Sequence, residues 1–217
     1  MKYSNIIFDV DGTLVNSYDA IKNSLIYTLK QFGIEENDES KIKYMMGPPL
    51  YHSLVHVWNL SDEDTVKAVE IYRNRFQKDG LAENKLYDNV PDMLEKLKNN
   101  GARLFVATSK VQFMAETVLD YLGISHYFDL IVGSDLNDKD HSKDELINKV
   151  LEYVGDAPKS SCVMVGDRKF DLNGAEICGI DGIGLLCGFG GYEELSKCKN
   201  TYLANNITEL TNHLLNN

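Results

Sequence analysis

The chain has 217 residues, of which 43% are hydrophobic and 25% are charged, and its formal net charge is −11. This length and composition are typical of a globular protein that forms one domain or two small ones. The negative charge, with no basic cluster in the sequence, argues against nucleic acid as a partner. No segment has the pattern of a signal peptide or a membrane span, so we expect a cytoplasmic protein with no membrane partner. The four cysteines contain no Cys-x-x-Cys pair, which favours reduced thiols over a zinc site.

Two carboxylates follow the first apolar run of the chain. The run ends at Asp9 and Asp11, and Gly12 allows the backbone to turn directly after them. Because side chains alternate along a strand, both acids lean to the same side, where their repulsion requires a shared proton or a divalent cation such as Mg²⁺. An Asp-rich turn that caps a helix is the alternative. A calcium loop is excluded, because Ile7 and Tyr18 stand where that motif needs acids.

The segment from residue 17 to residue 80 has the pattern of helices and contains no predicted strand. Apolar residues recur at helical spacing after Ser17, which is the expected cap, and Gly33 is the expected stop. An acidic linker follows. Further helices are predicted at residues 40–46, 50–58 and 62–78, and Ser61 opens the capping sequence of the last one.

After residue 87, short apolar runs alternate with helical segments. The predicted strands cover residues 103–107, 130–132, 162–165 and 182–186. Strands that alternate with helices indicate an α/β fold with a Rossmann-like parallel sheet and helices on both faces. Because the first strand belongs to the same sheet, the helical segment is an inserted all-helical domain. We expect a core of residues 1–15 and 88–217 and a helical domain of residues 16–87.

Polar residues follow the strands of the predicted sheet. Ligands of an open parallel sheet bind beyond the carboxyl ends of its strands, where the winding of the chain reverses. The first strand ends at Asp9 to Asp11, the second at Thr108, Ser109 and Lys110, the third at residues 133–135 and another at residues 166–171, which include Asp167 and Asp171. The sequence therefore predicts that the chemistry of the protein takes place at this edge of the sheet.

Four motifs, in chain order, resemble those of the haloacid dehalogenase (HAD) superfamily. They are Asp9-Val10-Asp11-Gly12-Thr13, Thr108 after an apolar strand, Lys143, and Gly166-Asp167 with Asp171 four residues later. The helical insert resembles the cap of the subgroup that contains phosphoglycolate phosphatases, bacterial 5′-nucleotidases and β-phosphoglucomutases. Dehalogenases and phosphonatases of the superfamily lack an acid at the position of Asp11, so the resemblance implies phosphoryl transfer.

The resemblance implies a role for each acid of these motifs. Asp9 would be the nucleophile that forms an aspartyl-phosphate, and Asp11 would protonate the leaving alcohol and then activate water. Mg²⁺ would be held by Asp9, by the backbone carbonyl of Asp11 and by Asp167. Asp171 would support this metal site, and capping of the next helix is the alternative for Asp171.

The resemblance also implies the groups that bind phosphate. The Thr108 hydroxyl and the backbone near Ser109 would bind the phosphoryl oxygens, and Lys143 would place a positive charge against the phosphate and Asp9. The family often has proline after this lysine, whereas Asp144 follows here, so Lys139 is the alternative. From spacing alone, Lys143 could equally be a solvated residue at the start of an amphipathic helix.

The sequence thus predicts a Mg²⁺-dependent phosphomonoester hydrolase that acts on a small metabolite. A nucleoside 5′-monophosphate or phosphoglycolate is the expected substrate, and a monomer is the expected state. A sugar-phosphate mutase and an inactive anion-binding protein are the alternatives. Substrate choice should depend on the cap, where residues 47–50 form a stiff Gly-Pro-Pro loop. The candidate contacts in the cap, none of which is assigned a role, are Tyr44, Met45, His52 and either Arg73 or Arg75.

Overall fold

A computed structural model describes residues 1–135 and 142–216 of the chain. The strands are β1 (Asn5–Phe8), β2 (Val15–Asn16), β3 (Lys85–Leu86), β4 (Arg103–Val111), β5 (Leu130–Ser134), β6 (Cys162–Gly166), β7 (Asp181–Leu185) and β8 (Tyr202–Ala204). The α-helices are α1 (Tyr18–Gln31), α2 (Glu39–Tyr44), α3 (Leu50–Trp58), α4 (Asp62–Arg75), α5 (Val90–Asn99), α6 (Gln112–Tyr121), α7 (Lys143–Val154), α8 (Lys169–Cys178), α9 (Gly191–Leu195) and α10 (Ile207–Asn216).

A six-stranded parallel sheet in the order β5-β4-β1-β6-β7-β8 forms the centre of the structure. Strand β1 pairs with β4 on one side and with β6 on the other, so that Ile6 lies between Leu104 and Val163. From β1 the chain proceeds outward to β4 and β5, and it then returns to the other side of β1 to build β6, β7 and β8. The winding reverses at β1, and this is the place where open α/β sheets bind ligands.

The apolar run of β1 is buried because both faces of the sheet are covered. Ile6 and Phe8 belong to the larger hydrophobic cluster, whereas Ile7 joins Phe105 and Ile147 in a second cluster on the opposite face. This alternation follows from the two-residue period of a strand. It confirms the predicted α/β fold with a parallel sheet between helices.

The inserted segment is helical, as predicted, and it leaves and rejoins the sheet at adjacent points. Helices α1 to α4 are followed by a π-helical turn at Phe76–Gly80 and a 3₁₀ turn at Leu81–Glu83. Strands β2 and β3 pair antiparallel, with Val15 opposite Leu86, and they join the two ends of the segment. The Ser61 hydroxyl accepts a hydrogen bond from the Asp64 amide at 3.1 Å, which confirms the predicted cap of α4.

The structure differs from the sequence prediction in its short elements. Strand β4 continues to Val111, past the predicted end at residue 107, and its pairing with β5 shifts register after Ala107. The two-residue strands β2 and β3 and the three-residue strand β8 were not predicted, because so few residues carry no recognisable period. The division into a core and a helical cap domain stays a prediction. No helix in the described part of the chain is long and apolar enough to cross a membrane.

Candidate active site

The predicted site residues meet at the carboxyl edge of the sheet, around the end of β1. Asp9 follows β1, Asp167 follows β6, and Thr108 lies in the last part of β4. Because β1 lies between β4 and β6, these three side chains project from neighbouring strands. Lys143 reaches them from the first residue of α7.

A tight turn after β1 brings Gly12 and Thr13 of the first motif next to the Asp167 carboxylate. Gly12 has a φ of +85°, and a Cβ at this position would lie 2.2 Å from Asp167 Oδ2. Only glycine satisfies both the backbone conformation and the lack of space. The next residue, Thr13, donates its hydroxyl to Asp167 Oδ1 at 3.1 Å. The turn therefore also fixes one oxygen of the last motif.

Lys143 connects the first and last motifs through two buried ion pairs. Its Nζ lies 3.1 Å from Asp9 Oδ1 and 2.8 Å from Asp171 Oδ1, and it donates a hydrogen bond to the Ala107 carbonyl at 3.2 Å. Only 5% of the side chain is exposed, so Lys143 is not a solvated residue. Burial by itself lowers the pKa of Lys143, but the charges of Asp171 and Asp9 outweigh this effect and raise it. The ammonium group is therefore permanently charged.

Three buried carboxylates, those of Asp9, Asp167 and Asp171, place ligand oxygens within 4.8 Å of one another. Burial raises the pKa of Asp9 to about 6 although Lys143 opposes the change. Burial and the charges of Asp171 and Asp9 raise the pKa of Asp167 well above its usual range. One lysine cannot balance three carboxylates, and an all-oxygen donor set is the one that Mg²⁺ prefers. The residues present therefore fit a hard divalent cation.

The loop that follows β7 holds the second oxygen of Asp167. The Phe189 amide donates a hydrogen bond to Asp167 Oδ2 at 2.7 Å. A Cβ at Gly188 would lie 2.3 Å from Asp167 Cβ and 2.4 Å from the Gly12 carbonyl oxygen. Sequence reasoning assigned no role to this loop, because a backbone donor leaves no mark on residue type. Its only signal was the cluster of glycines between residues 188 and 191.

Asp171 has two partners. They correspond to the two roles considered for this residue, which are capping of the next helix and support of the metal site. Its Oδ2 accepts a hydrogen bond from the Arg168 amide at 3.0 Å, which satisfies the start of α8. Its Oδ1 faces Lys143 at 2.8 Å. The same carboxylate thus caps the helix and lies within the acidic cluster.

Asp11 forms an ion pair that the sequence analysis did not assign. Lys110 Nζ lies 2.7 and 3.0 Å from the two carboxylate oxygens of Asp11. The same ammonium group lies 4.6 Å from the centre of the Phe76 ring, in the π-helical turn of the insert. The signal for Lys110 was its position at the end of β4, two residues after Thr108.

Thr108 and Ser109 lie beside Asp9, at the position predicted for phosphate-binding residues. Thr108 is buried, and its hydroxyl accepts a hydrogen bond from the Lys110 amide at 3.3 Å. The Ser109 carbonyl accepts the Ser134 hydroxyl at 3.0 Å, which fixes the backbone at the end of β4 to β5. Both residues line the same cavity as Asp9 and Asp11.

A cavity of about 560 Å³ lies over these groups, between the sheet edge and the helical insert. Of the candidate cap contacts, Met45 and Arg73 line the cavity, whereas Tyr44, His52 and Arg75 do not. Arg75 instead pairs with Glu83 at 2.7 Å. The walls combine apolar residues of the insert, such as Met46, Leu50 and Val69, with polar ones, such as Glu70, Asn74 and Gln77. Lys139, the alternative to Lys143, lies outside the described residues.

Comparison with known proteins shows similarity over nearly the whole chain. Residues 6–185 match a family model described as haloacid dehalogenase-like hydrolase. The chain is 35% identical to a 5′-nucleotidase of Pseudomonas aeruginosa over 97% of its own length and 95% of that protein. It is 33% identical to a phosphoglycolate phosphatase of Aquifex aeolicus over 80% of each chain. The crystal structure of a predicted phosphatase from Clostridium acetobutylicum superposes with a TM-score of 0.93, 35% identity and full coverage of both chains.

Proposed function

Because this chain belongs to the haloacid dehalogenase-like hydrolase family and is a phosphatase, we propose that it hydrolyses a small phosphomonoester with Mg²⁺ and through an aspartyl-phosphate on Asp9. The observation that carries this proposal is the excess of buried carboxylates over lysine in the cluster of Asp9, Asp167 and Asp171. Such a cluster is stable in its charged form only when a cation is present.

The first half of the proposed reaction transfers the phosphoryl group to Asp9. The Asp9 carboxylate attacks phosphorus, and the bond to the leaving oxygen breaks while Asp11 donates its proton to that oxygen. Lys143 keeps Asp9 ionised, and Thr108 and Ser109 bind the phosphoryl oxygens. Asp9, the Asp11 carbonyl and Asp167 would hold Mg²⁺, which when bound offsets the repulsion between carboxylate and phosphate.

The second half returns Asp9 to its original state. Asp11, now a carboxylate, accepts a proton from a water molecule as that water attacks the phosphorus of the aspartyl-phosphate. The bond between phosphorus and the Asp9 oxygen breaks, which releases inorganic phosphate. One residue thus serves as acid in the first step and as base in the second. Lys110, which lies 2.7 Å from Asp11, orients its carboxylate between the two steps.

The cavity favours a nucleoside 5′-monophosphate over phosphoglycolate as the substrate. Its volume of about 560 Å³ is in the range of sites for drug-sized ligands, far larger than a two-carbon leaving group requires. Apolar walls suit the flat face of a base, and polar side chains of α4 suit its edge. The 5′-nucleotidase and phosphoglycolate phosphatase activities named for two relatives support small phosphomonoesters as the class of substrate.

We further propose that the protein works as a monomer in the cytoplasm. Its own helical insert covers the cavity, so a second copy is not needed to complete the site. The four cysteines are all free thiols, as expected for a reducing compartment.

The test of this function is an assay of the purified chain. We expect hydrolysis of p-nitrophenyl phosphate and of nucleoside 5′-monophosphates when Mg²⁺ is present, complete loss with EDTA, and recovery when Mg²⁺ is restored. Activity that chelation does not affect would contradict the role of the metal. Glucose 6-phosphate formed from glucose 1-phosphate, in place of free phosphate, would identify a mutase instead.

A further inference from the structure

Tyr72 carries a hydroxyl that neither the fold nor the proposed mechanism uses. The residue lies on α4, is 7% exposed, and lines the same cavity as Asp9 and Asp11. Among the described residues, its hydroxyl has no hydrogen-bond partner. The hydroxyl is not one of the fully buried polar atoms without a partner, and the residue lines the cavity, so this group is open to what enters there. The Tyr72 hydroxyl is therefore free to bind a group of the substrate.

Packing explains the ring of Tyr72 but not its oxygen. The ring stacks on Phe76, with a distance of 6.2 Å between the centroids, and it belongs to the larger hydrophobic cluster. Phenylalanine would meet these requirements equally well. Another tyrosine of the cavity, Tyr51, differs in this respect, since its hydroxyl donates to Asp62 at 2.7 Å.

Tyr72 lines the same cavity as Asp11 and lies within range of its charge, and Asp11 is the residue that faces the leaving group in the proposed reaction. Burial and the negative charge of Asp11 raise the pKa of Tyr72, so the hydroxyl stays neutral and can donate a hydrogen bond. In the proposed reaction, Asp11 protonates the leaving oxygen. Atoms attached to that oxygen must therefore lie next to Asp11, and they extend into the cavity that Tyr72 lines.

We propose that Tyr72 is a specificity-determining residue whose hydroxyl donates a hydrogen bond to an oxygen on the leaving group, close to the scissile ester. The enzyme would thereby select esters of polyols and sugars, in which neighbouring carbons carry oxygen, over simple alkyl and aryl esters. This inference rests on the proposed phosphatase function, and it adds a contact to the leaving group of the substrate, beyond the contacts to its phosphate.

The test compares Tyr72→Phe with wild-type protein on esters that differ in oxygen near the scissile bond. The oxygen-bearing substrates are glycerol 3-phosphate and a nucleoside 5′-monophosphate, and the others are n-propyl phosphate and p-nitrophenyl phosphate. We expect kcat/KM of Tyr72→Phe to fall about three- to tenfold for the first pair, the value of one neutral hydrogen bond. For the second pair we expect a change of less than about twofold.

Tyr51→Phe is the matched control, because Tyr51 lines the same cavity and its hydroxyl already has a partner in Asp62. It should leave the ratio of kcat/KM between the two substrate pairs unchanged. Equal losses of Tyr72→Phe on all four substrates, or no loss on any, would overturn the inference. Wild-type protein that hydrolyses none of the four with Mg²⁺ would instead overturn the proposed function on which the inference depends.

Discussion

Lys143 is the residue on which the charge balance of the site depends. The sequence predicted a lysine near this position, but it left open whether Lys143 or Lys139 fills the role and whether Lys143 is solvated. The burial of Lys143 follows from the packing of α7 against β1 and β4, which spacing along the chain does not specify. By contrast, Asp9 and Asp11 could be predicted as a pair, because strand alternation alone brings them together.

Replacement of Lys143 by methionine should destabilise the fold, because it leaves the buried Asp9 and Asp171 carboxylates without a counter-charge. The expected loss in the free energy of unfolding is about 3–5 kcal/mol, measured by urea denaturation in EDTA at pH 8. Lys149→Met on the same helix is the control, since Lys149 is half exposed and lies 4.0 Å from Asp135. Its cost should be less than about 0.5 kcal/mol. Equal costs for the two variants would contradict the buried ion pairs.

The raised pKa of Asp9 predicts a stability that depends on pH. The folded chain, with an Asp9 pKa of about 6 against an ordinary value of 3.8, binds this proton more tightly than the unfolded chain. The stabilisation is therefore complete below about pH 4 and is lost as the pH rises through about 6. Asn at this position does not titrate, so Asp9→Asn has no such loss. Between pH 4 and pH 7 in EDTA, its free energy of unfolding should therefore rise by about 2–3 kcal/mol relative to that of wild type. Urea denaturation at the two pH values tests this, and a difference that does not change with pH would contradict it.

At the level of elements, the carboxyl ends of three neighbouring strands determine the site, and the loop after β7 completes it. Parallel strands align their ends, so polar residues placed just after apolar runs predicted Asp9, Thr108 and Asp167 at one edge. The bond from the Phe189 amide to Asp167 could not be predicted. It depends on the path of the loop at residues 188–191, and the sequence shows only that this loop is rich in glycine.

Gly188→Ala should weaken metal binding, because its Cβ would collide with Asp167 and the Gly12 carbonyl. Displacement of the loop breaks the hydrogen bond from the Phe189 amide to Asp167 and allows the Asp167 carboxylate to rotate. We expect the Mg²⁺ concentration for half-maximal activity to rise about tenfold or more, as for other groups that orient metal ligands. Calorimetric titration of Mg²⁺ should show the same loss of affinity without substrate.

Gly191→Ala separates this effect from general strain in the loop. Gly191 has a φ of +70°, so alanine there costs about 1–2 kcal/mol, but no atom lies within 4 Å of its added Cβ. The variant should lose stability and keep its affinity for Mg²⁺. Equal Mg²⁺ affinities for the two variants would contradict the role of Gly188 in the position of Asp167.

At the scale of the whole molecule, the helical insert and the sheet edge enclose the cavity together. The alternation of helices and strands after residue 87 predicted the parallel sheet, and the purely helical pattern before it predicted the insert. Strands β2 and β3, which join the two ends of the insert, could not be predicted from two residues each. The cavity itself also depends on how helix α4 packs over the sheet, which no local pattern specifies.

Mg²⁺ should stabilise the whole fold, because it would bind the carboxylate cluster in the folded chain alone. At a concentration ten- to a hundredfold above its dissociation constant, the gain is about 1.4–2.7 kcal/mol. For a chain of this size, that raises Tm by about 3–10 °C relative to EDTA. Calorimetry tests the prediction, with Asp167→Asn as the variant expected to lose most of the shift. A wild-type Tm that does not respond to Mg²⁺ would contradict the metal site.

The covalent role of Asp9 is tested most directly by trapping the phosphorylated enzyme. The chain is mixed with radiolabelled acetyl phosphate and Mg²⁺, quenched in acid and reduced with borohydride, which converts a phosphorylated aspartate to homoserine. Mass spectrometry of the peptides should find homoserine at the position of Asp9 in wild type and in Asp11→Asn, and none in Asp9→Asn. Homoserine at the position of Asp11, or an Asp9→Asn variant that turns over at the wild-type rate, would contradict the mechanism.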